Sequence, residues 1–257
     1  MPPAPPRAHG LLDGKVTLVT AAAGAGIGYA TARRCAEEGA TIVLSDRHER
    51  RLAEAAEALS ELTGVKPLAV PCDVTSEPQV LALFDAVVEA HGRLDVVVNN
   101  AGLGGTAELA EMTDEQWHAV LDVTLTGTMR CTRAALRHMY GQGSGVIVNN
   151  ASVVGWRAQR GQAHYAAAKA GVMALTRCVA LEAAGHGVRV NAVAPSLAVH
   201  PFLARVTSEE VLAELTAREA FGRSAEPWEV ANVIVFLASD YSSYMTGEVV
   251  SVSSQHP

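Results

Sequence analysis

Short runs of β-branched and aliphatic residues alternate with longer stretches of helical periodicity along almost the whole chain. The short runs predict strands at 15–20, 41–45, 68–73, 94–100, 145–150, 189–193 and 249–252. Between them, apolar residues recur every three or four positions and predict helices, among them 27–38, 49–62, 76–91, 114–139 and 226–239. Alternating strands and helices build a parallel sheet covered on both faces. The expected fold is therefore a doubly wound, three-layered α/β domain.

Two segments depart from this alternation. Residues 1–11 are rich in proline and are expected to form a short arm, so the folded domain is assigned to 12–257. Residues 197–225 follow the sixth strand and break the rhythm. Because they leave the carboxyl end of a parallel strand, where ligands bind, we predict that they form a mobile substrate lid.

The composition argues against several classes of function. A net charge of −7, with scattered Lys and Arg, gives nucleic-acid binding little electrostatic support. No apolar run suits a signal peptide or a membrane span, which predicts a cytoplasmic protein that works away from membranes. Four separated cysteines and nine histidines show no ligand spacing, so neither a metal site nor a disulfide framework is expected.

A glycine-rich turn, T-A-A-A-G-A-G-I-G at 20–28, joins the first strand to the first helix. Glycines such as Gly24, Gly26 and Gly28 let the backbone approach a pyrophosphate, while the helix N-terminus supplies N–H donors and positive dipole charge. The alternative is a turn that only spaces the strand from the helix. The position of the glycine-rich turn directly after strand one favours dinucleotide binding and a Rossmann-like sheet.

Polar residues at the ends of the next strands bear on which dinucleotide binds. Asp46 closes the second strand, where a carboxylate accepts hydrogen bonds from the adenosine ribose and repels the extra phosphate of NADP. NAD is therefore favoured, although Arg47 offers a phosphate partner and Asp46 can also be read as a simple loop carboxylate. Asp73 is a candidate for the adenine, and the backbone at Ala101 and Gly102 is a candidate for close approach to the cofactor.

Tyr165 and Lys169 are the candidate catalytic pair. They lie four residues apart in a stretch of strong helix propensity, and therefore share one helix face. An ammonium beside a phenol favours the phenolate, so Lys169 is expected to lower the pKa of Tyr165 toward general acid–base use. Ser152 supplies a hydroxyl for a substrate oxygen. The alternative is an ordinary surface Tyr and Lys, and the spacing by itself does not exclude it.

Taken in order, these pieces resemble the short-chain dehydrogenase/reductase family, in its single-domain branch, from about Leu12 to Val252. The motifs that carry the resemblance are A-G-I-G (25–28), Asp46, C-D-V (72–74), N-N-A-G (99–102), Ser152, Y-A-A-A-K (165–169), N-A-V-A-P (191–195) and F-L-A-S-D-Y-S-S-Y-M-T-G (236–247). N-N-A-S-V-x-G-W-R-A-Q, with S-Q-H-P at the end, is similar to an actinobacterial subgroup. That subgroup includes a reductase of a hydroxy-indane carboxyl-CoA in steroid ring breakdown.

The resemblance implies an NAD(P)-dependent oxidoreductase that moves a hydride between nicotinamide and a secondary alcohol or ketone. Tyr165 would exchange the proton of the reacting oxygen, Ser152 would hold that oxygen, and Lys169 would tune Tyr165 and reach the nicotinamide ribose. The family also commonly forms a homotetramer or a homodimer. Further cofactor contacts implied by the matched motifs are Ile27, Val74, Asn100 and Pro195, with Tyr165 and Lys169 themselves.

The chain departs from the family pattern in four places along the sequence. Ala22 lies where the first turn glycine falls when counted back from Gly26; counted from Thr20, the turn instead has one extra residue. Thr124 replaces an Asn that supports a water chain behind the Lys, and either keeps a polar role or only packs. Ser196 and His200 replace the usual Gly and Thr after strand six, and His200 either touches the ligands or is an exposed loop residue. S-S-Q replaces the usual D-G-G near the C-terminus.

The substrate pocket is expected to take residues from both sides of the catalytic pair. Trp156, Gln159 and Gln162, between Ser152 and Tyr165, are candidate lining residues. Arg157, Arg160 and Arg205 are candidates for the rim, where they would hold an anionic group such as a coenzyme A phosphate, or are solvated surface residues. Two rival functions stay open: a non-enzymatic nicotinamide-binding regulator and an epimerase or dehydratase.

Overall fold

The computed structural model describes residues 4–199 and 209–254. Within them, the strands are β1 (Val16–Thr20), β2 (Thr41–Asp46), β3 (Leu68–Pro71), β4 (Val96–Asn99), β5 (Gly145–Asn150), β6 (Val188–Pro195) and β7 (Val249–Val252). The helices are α1 (Ile27–Glu37), α2 (Glu49–Thr63), α3 (Glu77–His91), α4 (Asp114–Leu121), α5 (Gly127–Gln142), α6 (Ala163–Ala184), α7 (Glu209–Ala217) and α8 (Pro227–Ala238). None of these helices is long and apolar enough to cross a membrane.

The strands form one fully parallel sheet in the order β3-β2-β1-β4-β5-β6-β7. This confirms the doubly wound, three-layered α/β fold. The order reverses between β1 and β4, which pair through Thr17–Val96, Leu18–Val97 and Val19–Val98. Loops at the carboxyl ends of these two strands leave in opposite directions, which opens a crevice at that edge of the sheet.

Side chains alternate between the two faces of each strand, so each central strand supplies two cores. On one face, Val19, Val98 and Val148 share a buried cluster with residues of α1, α2 and α8. On the other face, Leu18, Val97 and Ile147 pack with residues of α3, α5 and α6. Strands buried on both faces read as continuous apolar runs, which explains why the sequence pattern locates them well.

Two predicted boundaries differ from the structure for local physical reasons. The third strand stops at Pro71 rather than reaching Asp73: the Cys72 N–H still donates to Asp46 O at 3.1 Å, but β2 ends at Asp46 and offers no further partner. The helix expected at 114–139 is interrupted by one π-helical turn, Asp122–Thr126, and then continues to Gln142. Such turns insert an extra residue into a helix and occur often at functional sites.

The segment predicted as a lid contains helix α7, which has no buried residue. Both ends of the segment are held at the sheet edge. Ala198 bridges to Ala225, and the Ala225 N–H donates to Leu197 O at 2.8 Å. Buried Glu219 accepts from the Leu197 N–H at 3.3 Å and from Ser254 Oγ at 2.7 Å. These bonds tie the start of the segment to the chain just after β7.

The last residues of the proline-rich arm dock on α1 through Glu38. Its buried carboxylate accepts the N–H groups of His9 (2.8 Å) and Leu11 (3.0 Å) and pairs with the Arg34 guanidinium. Burial acts to raise the pKa of Glu38, but these two N–H groups and Arg34 outweigh it and leave the pKa below its ordinary value. Arg34 also donates to Arg7 O at 3.3 Å.

Replacing Glu38 by Gln should lower the free energy of unfolding at pH 7 by roughly 1–3 kcal/mol, because a charged hydrogen-bonded group is lost from a buried site. A depressed folded-state pKa stabilises the fold above the unfolded value of about 4.3, and this contribution is lost as the pH falls through the lower folded value. Denaturant unfolding should therefore show the deficit at pH 7 and its disappearance in acid. Glu37→Gln is the matched control, because Glu37 also pairs with Arg34 but is partly exposed. An equal loss in both variants would contradict the prediction.

Candidate active site

The predicted site residues converge at the carboxyl edge of β1, β4 and β5, where α6 crosses the strand ends. Lys169 and Ser152 are buried, and Tyr165 is half-buried. A Cβ on Gly102 would lie 3.5 Å from Lys169 Nζ and 3.9 Å from Thr124 Oγ1, so Gly102 lies next to both side chains. The structure thus brings Ser152, Tyr165, Lys169, Thr124 and Gly102 into one cluster.

Ser152 directs its hydroxyl toward Tyr165. It follows β5 in an extended conformation, caps the short 3₁₀ turn Val153–Gly155, and accepts the Val154 N–H at 3.3 Å. A side-chain hydrogen bond also joins Ser152 to the Tyr165 phenol. Two hydroxyl groups that meet in this way are arranged to bind the same oxygen atom of a third molecule.

Lys169 lies one helical turn beyond Tyr165. Its Nζ donates to the carbonyl of Asn150 at 2.5 Å and stands 5.5 Å from the centroid of the Tyr165 ring. Burial lowers the pKa of Lys169 to about 8, because the charged ammonium is poorly solvated there. The amine therefore changes its charge close to neutral pH.

The pKa of Tyr165 is shifted in the direction opposite to the expected one. Burial raises it to about 12, and the hydrogen bond from Ser152 offsets only part of this effect. Lys169 Nζ stands 5.5 Å from the centroid of the ring. The expected lowering of the Tyr165 pKa is therefore wrong: desolvation is the largest cause and raises the pKa, and the opposing cause is the hydrogen bond from Ser152.

Thr124 keeps a polar function, but it holds the backbone. It lies in the π-helical turn, fully buried, and its Oγ1 accepts from the Leu103 N–H at 2.9 Å and donates to Leu103 O at 3.1 Å. This reciprocal pair fixes the chain directly after Gly102. Of the two alternatives for Thr124, the hydrogen bonds with Leu103 favour a polar role over packing alone.

The glycine-rich turn begins at Thr20 and contains the extra residue. Ala21 has a φ of +49°, the left-handed region, while Ala22 is buried in the core and donates to Ser45 O at 3.0 Å. A Cβ on Gly28 would lie only 2.3 Å from Ala21 O, so only glycine fits there. Helix α1 starts at Ile27 after Gly26, with no side-chain cap and no acidic residue in its first turn.

This uncapped helix start fits the pyrophosphate of a dinucleotide. The N–H groups of the first turn lack intrahelical partners, and no carboxylate in that turn opposes an anion. At Gly24, with φ +96°, a Cβ would meet no atom within 4 Å, so the loop leaves open space above the turn. The donor set therefore suits a bound dinucleotide.

Asp46 is placed between this turn and β2. Its carboxylate accepts the Ala23 N–H at 3.2 Å and the His48 N–H at 2.9 Å. Burial raises the pKa of Asp46, opposed in part by the Ala23 hydrogen bond and by Arg51 and Arg47. Arg47 itself is exposed and its Nε approaches His48 Nε2 at 3.4 Å.

Asp73 and Val74 follow β3 at the same edge. Burial acts to raise the pKa of Asp73, but hydrogen bonds from the Thr75 N–H (2.9 Å) and hydroxyl (2.8 Å) outweigh it and lower the pKa. Val74 is buried against Gly127, the first residue of α5. Pro195, the last residue of β6, is also buried.

Asn100 and Asn150 form a contact that the sequence does not predict. The Asn150 carboxamide donates to Asn100 Oδ1 at 2.9 Å, and Asn100 Nδ2 donates to the carbonyls of Thr20 (3.2 Å) and Ala21 (3.1 Å). The Thr20 hydroxyl accepts the N–H groups of Asn100 (3.0 Å) and Ala101 (3.2 Å). The signal in the sequence that points to Asn150 is its position two residues before Ser152.

The expected substrate-side residues divide into two groups. Trp156 is 47% exposed and Gln159 is half-buried, so both remain available to a substrate. Gln162 instead donates to Gly105 O at 2.7 Å and to Thr106 Oγ1 at 3.2 Å, which fastens the loop after β4. His200 lies outside the described residues.

The three arginines expected at the rim of the pocket differ in whether they could bind an anionic group. Arg160 pairs with Glu108 at 2.6 Å, Arg157 is half-buried, and Arg205 lies outside the described residues. Over residues 4–199 and 209–254, no group of three or more His, Cys, Asp or Glu is placed to hold a metal ion.

Comparisons with known proteins agree with this geometry. The family model described as enoyl-(acyl carrier protein) reductase matches residues 21–254. A (5R,7aS)-5-hydroxy-7a-methyl-1-oxo-2,3,5,6,7,7a-hexahydro-1H-indene-carboxyl-CoA reductase of Mycobacterium tuberculosis is 65% identical over 97% of this chain and 95% of its own length. A cis-4-hydroxycyclohexanecarboxylate dehydrogenase of Sinomonas cyclohexanicum is 45% identical over 93% of this chain and 94% of its own.

A solved structure extends the likeness to three dimensions. The crystal structure of a short chain dehydrogenase from Mycobacterium smegmatis matches with a TM-score of 0.88 at 61% identity, over 99% of this chain and 98% of that one. Sequence and overall fold thus agree over nearly the full length. The chain belongs to the short-chain dehydrogenase/reductase family of NAD(P)-dependent oxidoreductases acting on CH–OH groups.

Proposed function

We propose that the protein reduces the ring ketone of a bulky alicyclic acyl-CoA, or oxidises the corresponding alcohol, with NAD(H) favoured over NADP(H). The observation that carries this proposal is the 65% identity, over 97% of the chain, to a reductase of a hydroxy-methyl-oxo-indene carboxyl-CoA. The relative named for a hydroxycyclohexanecarboxylate supports a ring alcohol as the reacting group.

In this proposal Ser152 and Tyr165 bind the substrate oxygen together. Their hydroxyl groups already hydrogen-bond each other, so both can turn toward one carbonyl oxygen. Tyr165 donates its proton to that oxygen during reduction and takes it back during oxidation. With a pKa of about 12 the phenol is protonated at neutral pH, which is the form that reduction requires.

A bound nicotinamide supplies the hydride. Beside it, Lys169 is proposed to stabilise the negative charge that forms on Tyr165. The Lys169 amine lies 5.5 Å from the Tyr165 ring centre and, with a pKa of about 8, is mostly protonated at neutral pH. Its positive charge would therefore stabilise the phenolate that is left when Tyr165 has given its proton to the substrate oxygen. Thr124 supports this arrangement indirectly, since it fixes Leu103 and hence the backbone at Gly102, next to Lys169.

The dinucleotide is proposed to lie across the sheet edge from the α1 N-terminus toward β5. Gly24, Gly26, Ile27 and Gly28 would hold the pyrophosphate, and Asp46 the adenosine ribose. Asp73 and Val74 would lie near the adenine, with Asn100, Ala101, Gly102 and Pro195 along the backbone of the cofactor. The buried carboxylate of Asp46 is the reason for favouring NAD, because the extra phosphate of NADP would lie against a negative charge.

Trp156 and Gln159 are proposed to line the pocket, and the segment 197–225 to close over it. Helix α7 buries no residue, and elements with few buried contacts open at low free-energy cost. We further propose a cytoplasmic homotetramer or homodimer, by analogy with the family. A non-catalytic regulator or an epimerase is less favoured, since the similar proteins are named as a reductase and dehydrogenases.

The substrate class can be tested with three ketones: an alicyclic ketone as its CoA thioester, the free acid of the same ring, and a linear 3-oxoacyl-CoA. The ring thioester should give the highest kcat/KM, measured from the absorbance of reduced nicotinamide. The free acid tests recognition of the CoA portion, and the linear thioester tests recognition of the ring. Faster turnover of the linear compound, or none of any ketone with either dinucleotide, would count against the proposal.

Replacing Tyr165 by Phe should lower kcat roughly 10²–10⁴-fold, because the proton donor is lost while the ring is kept. Dinucleotide affinity, followed by fluorescence titration, should change little. Tyr140→Phe is the control, since Tyr140 stacks on His186 with ring centroids 3.8 Å apart and should keep full activity. Substantial residual turnover in the Tyr165 variant would exclude Tyr165 as the proton donor.

The dinucleotide preference can be measured from dissociation constants. The wild-type protein should bind NAD at least roughly tenfold more tightly than NADP, and Asp46→Asn should narrow that ratio roughly tenfold by removing the like charge. Asp73→Asn is the comparison variant, expected to weaken both dinucleotides to a similar extent. A wild-type preference for NADP would overturn the assignment of Asp46.

A further inference from the structure

Asn150 holds two different parts of the site at once. It is the last residue of β5, and its backbone carbonyl accepts the hydrogen bond from Lys169 Nζ at 2.5 Å. Its side-chain Nδ2 donates to Asn100 Oδ1 at 2.9 Å. One residue therefore contacts Lys169 through its backbone and the neighbouring strand end through its side chain.

Asn100 continues the chain of contacts to the glycine-rich turn. Its Nδ2 donates to the carbonyls of Thr20 and Ala21, at 3.2 and 3.1 Å. Ala21 adopts the left-handed region with φ +49°, which is unfavourable for a residue with a Cβ, and its carbonyl closely approaches Gly28. The Asn100 amide thus holds Ala21, whose backbone conformation is the least favourable in the turn for a residue with a Cβ.

The Asn150 side chain is poorly explained by stability alone. Its Oδ1 is buried and has no hydrogen-bond partner within the described residues. A buried unpaired carbonyl is destabilising, whereas an apolar side chain at a strand end would avoid that loss. A polar group kept at such a place points to a function for the hydrogen bond it does make.

We propose that Asn150 is a positioning residue that links Lys169 to the phosphate-binding turn through Asn100. The linked atoms run from Lys169 Nζ to Ala21 O across the ends of β5, β4 and β1. Loss of the Asn150 side chain loosens both ends. The turn loses the group that orients Asn100, and the Asn150 carbonyl that accepts from Lys169 is retained but is less firmly held. The proposal rests on the proposed role of Lys169, but its effect on dinucleotide binding is measured without any substrate.

Asn149 provides a matched control in the same strand. It is fully buried, its Nδ2 donates to Thr176 Oγ1 at 2.9 Å, and its Oδ1 accepts from Asn99 at 2.9 Å. Because successive strand residues point to opposite faces, these bonds lie on the far side of the sheet from Asn100. Removing this side chain breaks buried amide hydrogen bonds without touching the connection from Lys169 to the turn.

The experiment compares Asn150→Ala and Asn149→Ala in the full-length protein. Asn150→Ala should raise the dissociation constant of NAD roughly three- to tenfold, as the loss of one net hydrogen bond implies. It should also lower the apparent pKa of Lys169 in the pH profile of kcat/KM, because the backbone carbonyl that accepts from its ammonium, beside Tyr165, is less firmly held. Asn149→Ala should lower the unfolding temperature but change both readouts less than about twofold. Asn150→Val, which keeps a strand-favouring side chain, repeats the test if the alanine variant does not fold.

An unchanged NAD affinity in both Asn150 variants overturns the proposal, and so does an equal change in Asn149→Ala. A shift in affinity without a shift in the pH profile also overturns it, because the link must serve both ends. If the wild-type protein turns over no substrate, the proposed function fails, and the NAD affinity alone then decides the role of Asn150.

Discussion

The Thr20 hydroxyl holds together the two halves of this sheet at the point where strand order reverses. It accepts the backbone N–H groups of Asn100 and Ala101, which follow β4, while Thr20 itself ends β1. Ladder hydrogen bonds join these strands only as far as Val19 and Val98, so beyond that point the side chain of Thr20 replaces the ladder. Because the crevice opens where that ladder stops, a ligand across the edge meets backbone already fixed on both sides.

Burial shifts the two catalytic candidates toward their neutral forms. It raises the pKa of Tyr165 to about 12 and lowers that of Lys169 to about 8. The shifts go in opposite directions because burial disfavours the charged form of each group, the phenolate of Tyr165 and the ammonium of Lys169. At neutral pH the phenol is uncharged, whereas an amine with a pKa of about 8 is still mostly protonated. A negative charge arises on Tyr165 only when it has given up its proton, and the neighbouring ammonium would then stabilise the phenolate.

Much of the fold could be predicted from the sequence because the strands are buried on both faces and their apolar runs are unbroken. The proximity of Tyr165 and Lys169 was also predictable, since helical spacing places them on one face. Other features depend on tertiary contacts that leave no local pattern. Ala21 adopts the left-handed conformation although no glycine in the sequence marks that position. The hydrogen bond between Asn150 and Asn100 joins residues far apart in sequence. Gln162 donates to the carbonyl of Gly105, a contact that depends on how the fold brings the two loops together.

The pairing of Ala198 with Ala225 has a consequence for how this enzyme can diversify. The chain leaves the sheet edge and returns to it at the same point, and Glu219 fastens that point to the end of β7. The closure entropy of a loop grows only slowly with its length. The segment between these two alanines, Glu219 apart, can therefore change in length or sequence while β6 and α8 keep their places, so that this surface can vary without loss of stability in the sheet.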